Sequence, residues 1–250
     1  MPIGPTASLI VVGSEVLSAK VSDENGPWLA TRLRALGVEL RAVATVADRL
    51  DEVVEAVDRE RGRCDWLFTS GGIGPTHDDL TVAAVAKALG RPLHRLPALA
   101  AAIEAVHRRH HGGQPAPEVT LRMADVPVGS TLVGDPGYPT LCCENVVMLP
   151  GVPRFFRYQF DRMSSLLSGP PFRLVSVFID AREDRIAQAL AEVARAHPRV
   201  EIGSYPRFDE EADHAVKLTV ESRDLGAVQA ALAALLAALP PGVVLRVEGP

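Results

Sequence analysis

Trp66-Leu67-Phe68-Thr69-Ser70 is a short apolar run that leads directly into Gly71-Gly72-Ile73-Gly74-Pro75-Thr76-His77-Asp78-Asp79, after which Val82, Val85, Ala86 and Leu89 recur at helical spacing. A strand that passes through a glycine turn into a helix is compatible with few architectures. Three glycines in four positions let the backbone take positive φ and approach a ligand closely. Free N–H groups at the start of the next helix favour an anion. The same pattern also describes a plain tight turn in which Asp78 or Asp79 only caps the helix. Thr76, His77, Asp78 and Asp79 move the reading toward function, because they put a hydroxyl, an imidazole and two carboxylates at one helix mouth. Two carboxylates beside a phosphate site call for a divalent cation that offsets the repulsion. The loop has no Gly-Lys-Thr/Ser and is not a Walker A.

The pattern around this loop predicts the fold class. Leu9-Ile10-Val11-Val12 reads as a buried strand, and Leu29, Leu33 and Leu36 mark a helix closed by Gly37. A strand over 38–46 and a helix on Leu50, Val53, Val54 and Val57 follow. Strand and helix therefore alternate up to the glycine loop, which predicts a three-layer α/β/α domain with a mostly parallel sheet, spanning residues 1–168. Ligands of such sheets bind beyond the carboxyl ends of the strands, where this loop lies. Residues 97–111 read as a helix, Asn145–Leu149 as a strand, and 154–167 as another helix. Residues 112–144, rich in Gly and Pro, give no clear pattern. Beyond Gly169-Pro170-Pro171 the period changes. The order from residue 172 to 250 is β-α-β-β-α-β, which predicts a small ferredoxin-like α+β domain.

Charge and composition exclude some functions. The net charge is −5 with no dense Lys/Arg run, so no nucleic-acid partner is expected. The Met1–Pro5 start lacks a signal-peptide pattern, and the apolar stretch 227–239 is too short to span a bilayer, so a cytoplasmic chain with no membrane partner is expected. Cys64, Cys142 and Cys143 fit a reduced chain. Other candidates lie at strand ends. Glu15 follows the first strand and Asp48 the second; Asn25 starts a helix; Pro150-Gly151-Val152-Pro153 offers a rigid turn after the fourth strand. His107, His110, His111, His197 and His214 show no convergent spacing and read as surface or boundary residues.

Ser70–Thr81, preceded by Gly13-x-Glu15-x-Leu17 and Asp23-x-Asn25, resembles the molybdopterin-binding fold of the MogA/MoaB/MoeA group, and most of all the branch of the CinA N-terminal domain. Leu149–Pro153 matches a second motif of that family. Phe172 onward, with Ile202-Gly203-Ser204-Tyr205-Pro206, is similar to the region that follows the molybdopterin-binding-like domain of eukaryotic FAD synthases. The resemblance implies metal-dependent hydrolysis of nucleotide pyrophosphates such as ADP-ribose or FAD. Its alternatives are a pterin- or nucleotide-binding protein without chemistry, or a molybdopterin adenylyltransferase of molybdenum cofactor biosynthesis. It places Asp79 on the acidic position after the glycine loop, Asp48 on the second-strand aspartate, and Gly71, Gly72 and Gly74 on the phosphate-cradling glycines; with the reading of the residues themselves, Asp79, Asp78 and Asp48 are the expected catalytic residues. The ligand would contact Gly71, Gly72, Gly74, Thr76, Ser70, Glu15, Asn25, Pro150 and Gly151. A Mg, Mn, Co or Ni ion would be held by Asp78, Asp79 and His77. Relatives assemble as dimers or trimers, so a homo-oligomer is an expectation. Two departures stand out: Gly13-Ser14-Glu15 replaces the usual Gly-Asp-Glu, and Val119 and Met123 stand in a stretch where CinA-like chains often carry Asn and Gln.

Overall fold

The computed structural model describes residues 4–208 and 213–249, so Met1–Ile3 at the start of the chain lie outside the described residues. Contacts within the chain divide it into two compact units, residues 4–169 and residues 170 onward.

In the first unit the elements run β1 (Thr6–Val12), α1 (Ser14–Leu17), α2 (Asn25–Ala35), β2 (Glu39–Val46), α3 (Leu50–Arg61), β3 (Trp66–Ser70) and α4 (Thr81–Ala88). Then come β4 (Leu93–Arg95), α5 (Pro97–His110), α6 (Glu118–Leu121), β5 (Asp125–Pro127), β6 (Thr131–Asp135), β7 (Tyr138–Cys143), β8 (Val146–Leu149) and α7 (Pro153–Met163). The main sheet has the order β2-β1-β3-β8-β7-β6. Its first four strands are parallel, and β7 and β6 pair antiparallel as a hairpin edge. Every residue of β1 is buried, and its second half, Leu9–Val12, reads as an unbroken apolar run. Its alternate side chains feed two cores. Ala7, Leu9 and Val11 pack with Leu29, Leu33, Phe156 and Phe160 of α2 and α7. Ile10 and Val12 pack with Val53, Val57, Ala84 and Val85 of α3 and α4. This is the three-layer, mostly parallel architecture that the pattern predicts.

Local chemistry sets the ends of α2 and α5. Gly37 stops α2 at φ +72°: its N–H donates to Arg34 O, and Val38 N–H donates to Leu33 O at 2.8 Å, the paired bonds of a Schellman turn. Pro97 opens α5, where its missing N–H costs nothing. The helix expected over 154–167 is shorter: α7 ends at Met163 and tightens into a 3₁₀ turn over Ser164–Leu166. The stretch without a pattern, 112–144, contains α6 and three short strands, and β5 pairs with β4 in a separate two-stranded sheet.

The second unit contains β9 (Arg173–Ile179), α8 (Glu183–Ala196), β10 (Glu201–Pro206), β11 (Val216–Ser222), α9 (Leu225–Ala238) and β12 (Val244–Glu248). Its sheet, ordered β10-β11-β9-β12, is antiparallel throughout. Val175, Val177 and Ile179 of β9 and Val216, Leu218 and Val220 of β11 face Ile186, Val193, Val228 and Leu235 of the two helices. The βαββαβ order and this strand arrangement are ferredoxin-like.

Candidate functional site

The carboxyl ends of β1, β2, β3 and β8 open onto one cleft of the first unit, with a volume of about 800 Å³. Its floor is two abutting turns. Gly71 has φ +100° and Gly72 φ +67°, and a Cβ on either would fall 2.4 Å from Val12 O or 2.3 Å from Thr81 Oγ1. No residue but glycine fits both constraints. The turn is closed by Thr81, whose hydroxyl donates to Gly71 O at 2.7 Å and whose N–H donates to Gly72 O at 2.9 Å. Gly151 lies against Gly71, so close that a Cβ there would meet Gly71 Cα at 3.2 Å.

Asn25, at the start of α2, ties the two turns together. Its Nδ2 donates to Ser70 Oγ and to Gly151 O, both at 2.8 Å. Asn25 and Ser70 are buried and do not line the cleft. The structure places both beneath the floor, as its fastening, and not on the surface a ligand would touch.

Glu15, Asp48, Asp78 and Asp79 all line the cleft, with Gly71, Gly72, Gly74, Thr76, Pro150 and Gly151. Asp79 Oδ2 accepts from Thr76 N at 2.8 Å and lies 2.5 Å from Thr76 Oγ1, while Asp78 Oδ1 lies 2.6 Å from the same hydroxyl. The Thr76 hydroxyl holds the Asp78 carboxyl below its usual range, with the Asp78 backbone N–H assisting. One hydroxyl has one proton, so it can serve only one of the two carboxylates. Asp48 is held by Ser14: Ser14 N–H donates to Asp48 Oδ2 at 2.7 Å, and Asp48 N–H donates to Ser14 Oγ at 3.1 Å. This reciprocal pair is what Ser14 contributes at the position where the pattern has Asp.

His77 does not join this group. Its side chain is 98% exposed and its Nδ1 stands 3.9 Å from Asp78 Oδ1. Among the described residues, no set of three His, Cys, Asp or Glu side chains is arranged to hold a metal ion. The donors that do converge, Asp78, Asp79 and the Thr76 hydroxyl, are all oxygen and suit a hard cation such as Mg²⁺ or Mn²⁺.

The opposite wall comes from α5. Leu99, Ala102, Ile103, Val106, His107 and His110 line the cleft, with His111 just past the helix end. The rings of His107 and His111 stack with centroids 4.0 Å apart. All three are surface or boundary residues, as read from the sequence, but His107 and His111 meet, which the absence of convergent spacing did not anticipate. The signal was present in the sequence as spacing, since 107, 110 and 111 stand at i, i+3 and i+4 on one helix face. Tyr138, Phe155, Gln159, Thr120 and Met123 are also among the lining residues, whereas Val119 is exposed outside the cleft. No Lys or Arg lines the cleft among the described residues.

Comparison with known proteins gives the same picture. Residues 8–168 match the family model described as "Probable molybdopterin binding domain", and residues 171–248 match that of "FAD synthase, middle domain". A protein of Aeropyrum pernix is 34% identical over 232 residues, which cover 88% of this chain and 85% of the relative. A "Probable FAD synthase" of Caenorhabditis briggsae is 31% identical over 94% of this chain, and the chain spans only 51% of its length. A "CinA-like protein" of Myxococcus xanthus is 31% identical over 91% of this chain and 56% of the relative. Among solved structures, CinA from Thermoplasma acidophilum, itself described as of unknown function, matches with a TM-score of 0.58 at 29% identity, covering 66% of this chain and 98% of that one. No described helix is long and apolar enough to cross a membrane. With a match over 8–168 and a second over 171–248, the chain belongs to the molybdopterin-binding-domain family, in the form that carries an FAD synthase middle domain and has CinA-like relatives.

Proposed function

We propose that the cleft binds a nucleotide diphosphate of the ADP-ribose or FAD type and hydrolyses its phosphoanhydride with the help of a divalent cation. One observation carries this reading: a glycine turn and four carboxylates line one cleft that, among the described residues, has no Lys or Arg. A diphosphate cannot sit among Glu15, Asp48, Asp78 and Asp79 unless a cation offsets the repulsion. Asp78, Asp79 and Thr76 are the residues that would hold it; Mg²⁺, Mn²⁺, Co²⁺ and Ni²⁺ are the ions to try. Such an ion supplies Lewis acidity toward phosphoryl oxygen. The names of the FAD synthase relatives support a nucleotide as the ligand class.

The rest falls to this chain's own groups. Gly71, Gly72 and Gly74, whose Cβ positions are taken by Val12 O, Thr81 Oγ1 and Asp79 Oδ2, let the chain make the tight turn that the phosphate would lie against. Asp48 is anchored through Oδ2 by Ser14 N–H, which fixes the carboxylate in position to accept a proton from the attacking water. Water oxygen bonds to one phosphorus, the bridging P–O bond breaks, and the second phosphate leaves as an anion; FAD would give AMP and FMN.

Hydrolysis of ADP-ribose, FAD and NAD with each ion tests the reading. Asp79→Ala should lower the rate on the order of a hundredfold or more while circular dichroism stays unchanged. Equal rates for the two proteins overturn the mechanism. A second reading, binding without turnover, is favoured by Ser14, whose hydroxyl replaces a carboxylate and is already engaged with Asp48 N–H. Silence across the panel beside measurable nucleotide binding decides for it.

A further inference from the structure

The far end of the cleft has a chemistry of its own. Asp78 and Asp79 share the Thr76 hydroxyl beside the glycine turns, whereas α5 presents an apolar stripe, Leu99, Ile103 and Val106, that runs on into the stacked pair His107 and His111. No residue of α5 is fully buried; Leu99 leans on the core beneath the sheet, whereas Ile103 and Val106 belong to no core cluster and line only the cleft. Leu99 and His110 are separated by about 16 Å at the rise of an α-helix. The wall is therefore long, flat and mostly apolar, and it ends in imidazole rings.

Two kinds of chemical group could lie on such an end: an anion drawn by the imidazoles, or a planar heteroaromatic ring. Charge does not decide between them: the last turn of α5 sets the negative helix end against Arg108, which is paired with Glu104, and Arg109. Ring geometry does. The stacked imidazoles expose a ring face of the kind on which heteroaromatic rings stack.

We infer that His107 and His111, with the Leu99–Ile103–Val106 stripe, form the subsite for the planar ring of a nucleotide whose phosphates lie on the glycine turns. The inference rests on the proposed nucleotide site and names which part of the ligand α5 recognises. It makes His107 and His111 specificity-determining residues: a ring-bearing nucleotide gains contacts here that a sugar phosphate does not.

Calorimetric titration with AMP and with ribose 5-phosphate, both in the presence of Mg²⁺, tests it, because the two probes share the sugar phosphate and differ by the ring. In the double variant H107A/H111A, AMP affinity should fall about tenfold and ribose 5-phosphate affinity should stay put. H107F/H111F keeps flat rings without imidazole nitrogen and should recover most of the AMP affinity. Equal losses for both probes, or no loss for either, overturn the subsite. So does a Phe variant as weak as the Ala variant, which would assign the histidines to an anion. AMP that fails to bind the unaltered protein overturns both the subsite and the nucleotide reading. AMP binding that depends on the histidines, without hydrolysis of any diphosphate, leaves the subsite standing and removes only the catalytic reading.

Discussion

Gly71 and Gly72 show how single residues hold the floor of the cleft. Both take positive φ, and Thr81 fills the space where a side chain on Gly72 would go. Gly72→Ala should therefore cost at least about 2 kcal/mol of stability. Gly90 offers a control, since it has φ +63° but nothing within 4 Å of an added Cβ. Gly90→Ala should cost about 1 kcal/mol, and chemical denaturation of the two variants isolates the steric part. Asp65 makes a separate point about acid stability. Its carboxyl is held below the usual range first by Thr6 N–H and then by the Thr6 hydroxyl, each at 2.8 Å. A depressed folded pKa gives stability that is present above the unfolded value and lost as pH falls through the folded one. Asp65→Asn should thus destabilise by about 1 kcal/mol at neutral pH, a figure kept low by solvent exposure. The gap to the unaltered protein should close below the ordinary carboxylate range, as read from midpoints of unfolding against pH.

Helix α5 shows how an element can be legible as structure while its role is not. Its span was readable from Pro97 and the apolar spacing, yet that spacing alone assigns the apolar stripe to a core. Leu99 does lean on the core, but Ile103 and Val106 line only the cleft, and no α5 residue is fully buried. Ile103→Asp should accordingly change stability by less than about 1 kcal/mol while weakening AMP binding, a split that denaturation and titration on one sample would expose. The strand β3, the glycine loop and α4 were fully legible, because all parts of that unit are adjacent in the chain. Asn25 and Ser70 were legible as residues at the ends of elements, but not as fastenings, since their shared bond joins positions 45 apart in sequence. The β6–β7 hairpin stayed hidden because Gly134 and Pro139, which face each other across it, break the alternation by which strands are recognised. His77 read as a ligand from its place beside two aspartates, and only the conformation of the turn sends its ring into solvent.

Over the whole molecule, burial is organised as separate cores. The first unit encloses two, one on each face of its sheet, and the second encloses its own between β9, β11 and the helices α8 and α9. The described residues that line the cleft all belong to the first unit. Stability of one unit should therefore be adjustable without moving the chemistry of the other. Leu218, fully buried on β11, is the sharpest probe: Leu218→Ala leaves a cavity that costs about 2–5 kcal/mol. Differential scanning calorimetry should show one transition shifted down and a second one unmoved, and AMP titration below the lower transition should give the affinity of the unaltered protein. A single transition that shifts as a whole, together with weakened AMP binding, would mean that the two units unfold as one and that the cleft depends on the second for its shape.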